Sequence, residues 1–281
     1  MKPPPDVSSW SHLTRREALR KMSAGALWAA GLWPGALRAR AAVSHPEFSF
    51  IVVNDTHYLD DDCGEWLRQV VAQMKAERPA FCLHLGDLVE RCTRANLNAV
   101  KAIFSELGVP TYFEIGNHDY GGGDNRSTYE ELFPNRINYH FTHEQWRFVG
   151  LDSTDGQRWE KTSIPDTTLR WVDEHIAGFD REQPMALFTH FPLGEGVAFR
   201  PANADLLLER FRNHNLQAIW SGHFHGHTAR TRGAALLTTG RCCALKRDNH
   251  DGTAEKGFVV CTARDGRITQ RFVTARAGSN A

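Results

Sequence analysis

Phe48-Ser49-Phe50-Ile51-Val52-Val53-Asn54-Asp55-Thr56-His57 is the stretch on which the fold turns. Its first six residues read as a strand, and the polar exit carries a carboxylate and an imidazole two residues apart. The pattern recurs downstream. Residues 81–85 lead into Gly86-Asp87-Leu88-Val89-Glu90, residues 111–115 into Gly116-Asn117-His118-Asp119, Met185–Thr189 into His190, and residues 218–221 into Gly222-His223-Phe224-His225. Between the first three strands, residues 64–77 and 95–107 have helical periodicity, with Trp66, Leu67, Val70, Val71 and Met74 on one side of the first helix. That βαβαβ rhythm predicts parallel strands joined by crossover helices, so the fold class is α/β. In open α/β sheets ligands bind beyond the carboxyl ends of the strands, so the five polar blocks are expected on one rim.

The middle of the chain changes character. Gly121-Gly122-Gly123 marks a flexible loop, and residues 129–133 a short helix. Residues 137–142 and Trp146–Leu151 read as a hairpin around His143-Glu144-Gln145. Helices are expected at 168–176 and 204–213, and Ala235–Thr239, 258–262 and 268–273 read as antiparallel strands. There is no internal repeat, so residues 45–275 are expected to form one domain.

The N-terminus reads differently. Thr14-Arg15-Arg16-Glu17-Ala18-Leu19-Arg20-Lys21 precedes an apolar run over 22–37 and ends at Ala39-Arg40-Ala41, a small-x-small cleavage pattern. This is the layout of a secretory signal, and the paired arginines resemble a bacterial twin-arginine signal, with Ala18 standing where a bulkier apolar residue is usual. The run of 16 residues is shorter than the roughly 20 a membrane span needs, so no stable membrane insertion is expected. Residues 1–41 are therefore assigned as a signal peptide, with export machinery as a partner and a periplasmic or secreted destination. An amphipathic helix or an uncleaved anchor is the alternative. Seven basic and two acidic residues fall in that segment, leaving 26 basic against 31 acidic beyond it. No basic footprint remains for nucleic acid. Cys63, Cys82, Cys92, Cys242, Cys243 and Cys261 fit no CxxC or zinc-ribbon spacing, and their pairing is left open.

Carboxylate, imidazole and amide donors without thiolate suit Mn, Fe or Zn. The blocks hold enough donors for two ions if one carboxylate bridges, and ions about 3.5–4 Å apart can hold a hydroxide and clamp an in-line displacement at phosphorus. In order and each after a strand, the five blocks resemble the signature of calcineurin-like metallophosphoesterases over residues 48–275. The resemblance implies a four-layer α/β/β/α sandwich and a small-molecule phosphoester substrate. It implies that Asp55, His57 and His225 hold one metal, that Asn117, His190 and His223 hold the second, and that Asp87 bridges them. His118 would stabilise or protonate the leaving oxygen, with Asp119 orienting its ring. Two divalent or mixed-valence ions are implied.

Glu90 stands where purple acid phosphatases carry a ligating Tyr, and the paired His223 and His225 resemble the phosphodiesterase branch more than the protein phosphatases. A phosphodiesterase is expected, with a phosphomonoesterase or a non-catalytic metal-binding scaffold as alternatives. A nuclease is opposed by the acidic balance and the export signal. Arg200, Arg241 and Lys246 are the cations considered for gripping a phosphate, and Asn249-His250-Asp251-Gly252 is a polar turn that could border the pocket.

Overall fold

The structure is a computed structural model that describes residues 46–277, so the segment read as a signal peptide lies outside the described residues. β1 (Phe48–Val53) forms as the sequence predicts, and its side chains alternate between two buried faces. Phe48, Phe50 and Val52 join one apolar cluster, while Ile51 and Val53 join another. A strand buried on both faces explains why the run is apolar from Phe50 to Val53, with Ser49, near its start, the one polar and only half-buried position before Asn54.

β1 runs parallel to β2 (Cys82–His84), which runs parallel to β3 (Thr111–Phe113). The crossovers are α1 (Asp61–Ala76) and α2 (Arg94–Ser105). α1 begins three residues earlier than the apolar periodicity suggests, because the Asp60 side chain accepts from the Cys63 amide at 3.3 Å and caps it. Thr93 caps α2 in the same way through the Asn96 amide. On its other edge β1 pairs antiparallel with β10 (Gly257–Arg264), which pairs with β11 (Arg267–Thr274).

The second sheet is assembled from the rest of the chain. β4 (Asn138–His143) and β5 (Trp146–Leu151) form the expected hairpin, with Glu144 and Gln145 at φ 44° and 67° making the two-residue turn. β6 (Met185–Thr189) and β7 (Leu216–Ser221) follow in parallel. The antiparallel reading of β9 (Ala235–Thr239) holds only on its outer edge, against β8 (Thr228–Arg232); its inner edge runs parallel to β7. β8 itself was not expected, since its Thr-Ala-Arg-Thr-Arg sequence has no apolar face and its last four residues are exposed.

The two sheets pack face to face through aromatic side chains. Phe50 stacks on Phe81 at 4.9 Å, and Phe148 meets Phe81 edge-on at 5.0 Å. α1 and α2 cover the outer face of the first sheet, together with α3 (Ser127–Leu132), and α4 (Asp166–His175) and α5 (Ala204–Arg210) cover that of the second. This is the expected four-layer α/β/β/α order. Each fully buried Phe contributes roughly 1.5–3 kcal/mol, so the aromatic layer is a principal source of sheet alignment. No helix among the described residues is long and apolar enough to cross a membrane.

One acid breaks the apolar character between the sheets. Glu114 is wholly buried, and neither of its carboxylate oxygens has a hydrogen-bond partner. Burial, and then Asp152 nearby, push its pKa well above the ordinary range against a weaker pull from Arg136. The folded state therefore keeps a proton that the unfolded state releases, and stability falls as pH rises from the ordinary Glu range toward the raised value. Glu114→Met is expected to raise the melting temperature, with a gain of roughly 1–3 kcal/mol at pH 5 from removing unmade hydrogen bonds and a larger one at pH 8. Calorimetry at the two pH values checks this; an equal or smaller gain at pH 8 would contradict the assignment.

Candidate metal centre

The loops beyond β1, β2 and β7 hold an unusual backbone. Asp55, His57, Asp87, His223 and His225 have φ of 53°, 41°, 50°, 62° and 46°. Each is in the left-handed region, which costs a residue with a Cβ roughly 1–2 kcal/mol. Such strain persists where surrounding bonds over-determine it. Here the Asp55 amide donates to Gly86 O at 3.1 Å, the His57 amide to Asp87 O at 3.1 Å, and the His223 amide to Asp55 Oδ2 at 3.0 Å. A Cβ on Gly116 would lie 2.1 Å from the Asp87 amide nitrogen and 2.2 Å from Oδ1, and one on Gly222 would lie 2.8 Å from Asp55 Oδ2. These glycines are required by close approach.

The structure brings all seven predicted ligands together, and none is more than 8% exposed. Ligand atoms of Asp55, His57, Asp87 and His225 lie within 4.8 Å of one another, and so do those of Asp87, His190 and His223. Asp87 belongs to both groups. Its Oδ2 is 3.6 Å from His57 Nε2 and its Oδ1 is 3.4 Å from His190 Nε2. Asn117 Oδ1 lies 3.1 Å from His190 Nε2, and His225 Nε2 lies 3.3 Å from Asp55 Oδ1.

The far nitrogens of three rings face backbone carbonyls. His190 Nδ1 donates to Leu85 O at 2.9 Å, His223 Nε2 to Trp159 O at 2.7 Å, and His225 Nδ1 to Asp248 O at 3.3 Å. Each bond places the proton away from the centre, so a lone pair points inward. His57 Nε2 and His225 Nε2 then face each other at 3.2 Å, as do His223 Nδ1 and His190 Nε2. Ring nitrogens gathered this closely around carboxylates are an arrangement that cations satisfy, and the donor set fits first-row divalent metals.

The electrostatics agree. Burial alone would raise the Asp55 carboxyl, but His225, His190 and His57 hold it well below the carboxylate range. Burial depresses His57, and takes His223 to about 3, keeping both rings neutral. His225 goes the other way: Asp55 outweighs its burial and pushes it up to about 11, so its inward nitrogen gives its lone pair to a proton or to a bound cation, and this corner favours positive charge.

His118 borders the centre with its ring held by Nδ1, 3.1 Å from Glu90 O. Asp119 does not orient it. The Asp119 carboxylate instead accepts from the amides of Gly116, Leu88 and Val89 at 2.8, 2.9 and 3.2 Å, tying two ligand loops together. Its ring-orienting role is therefore corrected: the carbonyl of Glu90 is the partner of His118. Glu90 also sets its carboxylate 3.1 Å from His57 Nδ1, and its pKa falls to about 2 because His57 and Arg247 outweigh burial.

A cavity of about 680 Å³ opens over the centre. Of the cations considered from sequence, Arg200 pairs with Asp205, Arg241 with Asp251, and Lys246 with Asp60 and Asp62, and none lines this cavity. Arg247 does line it, and sequence spacing had no signal for it because it follows no strand. Its guanidinium forks onto Glu90 at 2.9 and 2.5 Å, and Nη2 lies 3.5 Å from His118 Nε2. His250 borders the cavity as the polar turn suggested. His84 packs between Phe104 and Phe113, while His227 lines a separate cavity, so neither is a ligand.

The model of the calcineurin-like phosphoesterase family matches residues 48–227. By sequence the chain is 27% identical over 180 residues to a probable cyclic nucleotide phosphodiesterase of a Synechococcus strain, covering 62% of this chain and 68% of that one. Its fold is similar to a dimetal phosphatase from Danio rerio, with a TM-score of 0.60 and 17% identity over 82% of this chain and 99% of that one. It is similar also to GAP50, the anchor in the inner membrane complex of Plasmodium, with a TM-score of 0.58 and 16% identity over 83% of this chain and 86% of that one. At such identities these structures speak for the fold alone, and one fold can carry unlike functions. The family match is of another kind, because it spans the very strands and loops that carry the donor cluster: the chain belongs to the calcineurin-like phosphoesterases, hydrolases that act on phosphoric ester bonds.

Proposed function

We propose that the chain hydrolyses phosphodiesters at a centre of two metal ions, after export from the cytoplasm. The observation that carries the two-ion reading is Asp87, whose two oxygens lie one toward each donor group, 3.6 Å from His57 Nε2 and 3.4 Å from His190 Nε2. Asp55, His57 and His225 would complete one ion's ligands, and Asn117, His190 and His223 the other's. Two such ions, when bound, lower the pKa of water and neutralise phosphoryl oxygens.

The chain's own residues supply the remaining work. His118, steered by the Glu90 carbonyl, presents Nε2 on the cavity side, where it would give the leaving oxygen its proton. Arg247 stands beside that nitrogen as a fixed positive charge. The diester preference is supported by the paired His223 and His225 and by the relative named as a probable cyclic nucleotide phosphodiesterase. A scaffold role on the same fold is opposed by the complete donor set together with His118.

Asp87→Ala is expected to lose both metal content and turnover, because both donor groups lose their shared carboxylate. His118→Ala is expected to keep its metal while kcat falls about 10²–10⁴-fold. Metal analysis by mass spectrometry, beside assays on bis-aryl, aryl, cyclic-nucleotide and glycerophosphodiester substrates with chelation and Mn, Fe or Zn add-back, separates the two. Loss of metal from His118→Ala would remove its assigned role, and faster monoester than diester turnover would overturn the diester preference.

The export proposal rests on the Arg15-Arg16 segment and the Ala39-Arg40-Ala41 site. Expressed in a bacterium, the chain is expected in the periplasm, shortened at about residue 41. Accumulation there in a host lacking twin-arginine translocation would contradict that route.

A further inference from the structure

The cavity over the centre has two unlike walls. One is polar: Glu90, Arg91, His118, Arg247 and the Gly121-Gly122 backbone. The other is built from rings. Trp159 and Phe199 lie 5.8 Å apart between centroids, Phe199 is 5.9 Å from His250, and His250 stacks on His225 at 5.3 Å. The wall thus rises directly from the ligands themselves, since Phe199 also meets His223 edge-on at 5.1 Å.

Trp159 is 56% exposed, an unfavourable state for the largest apolar side chain. Fraying does not account for it. The carbonyl of Trp159 accepts from His223 Nε2 at 2.7 Å, and the Gln157 amide donates to Asp124 Oδ1 at 2.8 Å, so the backbone is anchored to the site. Phe199 adds a second anomaly: a bulky residue at φ 63°, in a region that favours glycine. Arg200 fixes the chain just beyond it, donating to Leu193 O at 2.9 Å and pairing with Asp205 at 2.8 Å. His250 is held by its own amide, which donates to His225 O at 2.9 Å. Strained or exposed aromatic rings on pinned backbone, facing a cavity, are features of a ligand clamp.

We propose that Trp159, Phe199 and His250 form a stacking subsite for a planar ring carried on one arm of the phosphoester, a nucleobase or a simple aryl group. The proposal rests on the phosphoesterase reading of the centre and assigns the part of the substrate that the metals do not touch. Rings bind such a wall through dispersion and offset stacking, which tolerates any π-face and does not require a base-specific hydrogen bond. Arg247 and His118, on the polar wall, face the remainder of the ester. His250 and Arg247 lie beyond residues 48–227, so the subsite and the polar wall both draw on a part of this chain that the family match does not cover.

The test uses the metal-loaded wild type, Trp159→Ala and Trp159→Tyr. Selectivity is read as the ratio of kcat/KM for a bis-aryl phosphate or a cyclic nucleotide to that for a glycerophosphodiester. This ratio is expected to fall about tenfold in Trp159→Ala and to be largely restored in Trp159→Tyr, with metal content retained in both. Dissociation constants for adenosine 5′-monophosphate, phenyl phosphate and glycerol phosphate, taken by calorimetry, report binding without turnover. Weaker binding of the first two only in Trp159→Ala supports the subsite, and the larger of the two losses tells nucleobase from aryl. Equal losses for all three, or none, would overturn it. Should the wild type turn over no ester yet prefer planar phosphates, the reading of the centre fails and the subsite stands.

Discussion

The site depends on one constraint: two separate sheets must be locked together so that donors from one meet donors from the other. The first sheet delivers Asp55, His57, Asp87 and Asn117 from the ends of β1, β2 and β3, and the second delivers His190, His223 and His225 from β6 and β7. Neither sheet holds a complete set. The lock is the aromatic layer of Phe50, Phe81, Phe148, Phe188 and Trp220 between them. Close-packed rings transmit small displacements, so a shift in that layer is felt at contacts of about 3 Å in the centre.

The centre is costly before any ion is considered. Five of its seven donors hold left-handed backbone, and all seven polar side chains converge in a buried space. Part of the cost is met by cross-loop hydrogen bonds, chiefly the Asp119 carboxylate gathering three amides and Asp55 accepting from the His223 amide. The rest is what cation binding offsets, which makes affinity for metal and stability of these loops two views of one free energy.

Around this centre the side chains divide the work by chemistry. Backbone carbonyls of Leu85, Trp159 and Asp248 orient three imidazoles, while Glu90 stands beside the fourth. Glu90 is also the partner of Arg247, so one carboxylate links a metal-facing ring to the cation of the polar wall. Glu114 lies apart from this network, an acid kept neutral between the sheets by burial.

Much of this was legible in the chain of residues. An apolar run followed at once by Asp-x-His, Gly-Asp, Gly-Asn-His or Gly-His-x-His announces both a buried strand and its exit, because burial on two faces leaves few polar residues until the strand ends. The five polar blocks and the parallel order follow from that local rule, while the ligand set and the four layers came from the resemblance those blocks carry. What local pattern could not carry was anything set by long-range contact. β8 has no apolar face, and β9 gains its parallel edge only by docking on β7. Asp119 turns from the neighbouring ring to distant amides, and Arg247, Trp159 and Phe199 stand after no strand at all. Their positions are decided by where the folded loops meet, since a side chain's partner across space depends on the packing of the two sheets and leaves no period in the sequence.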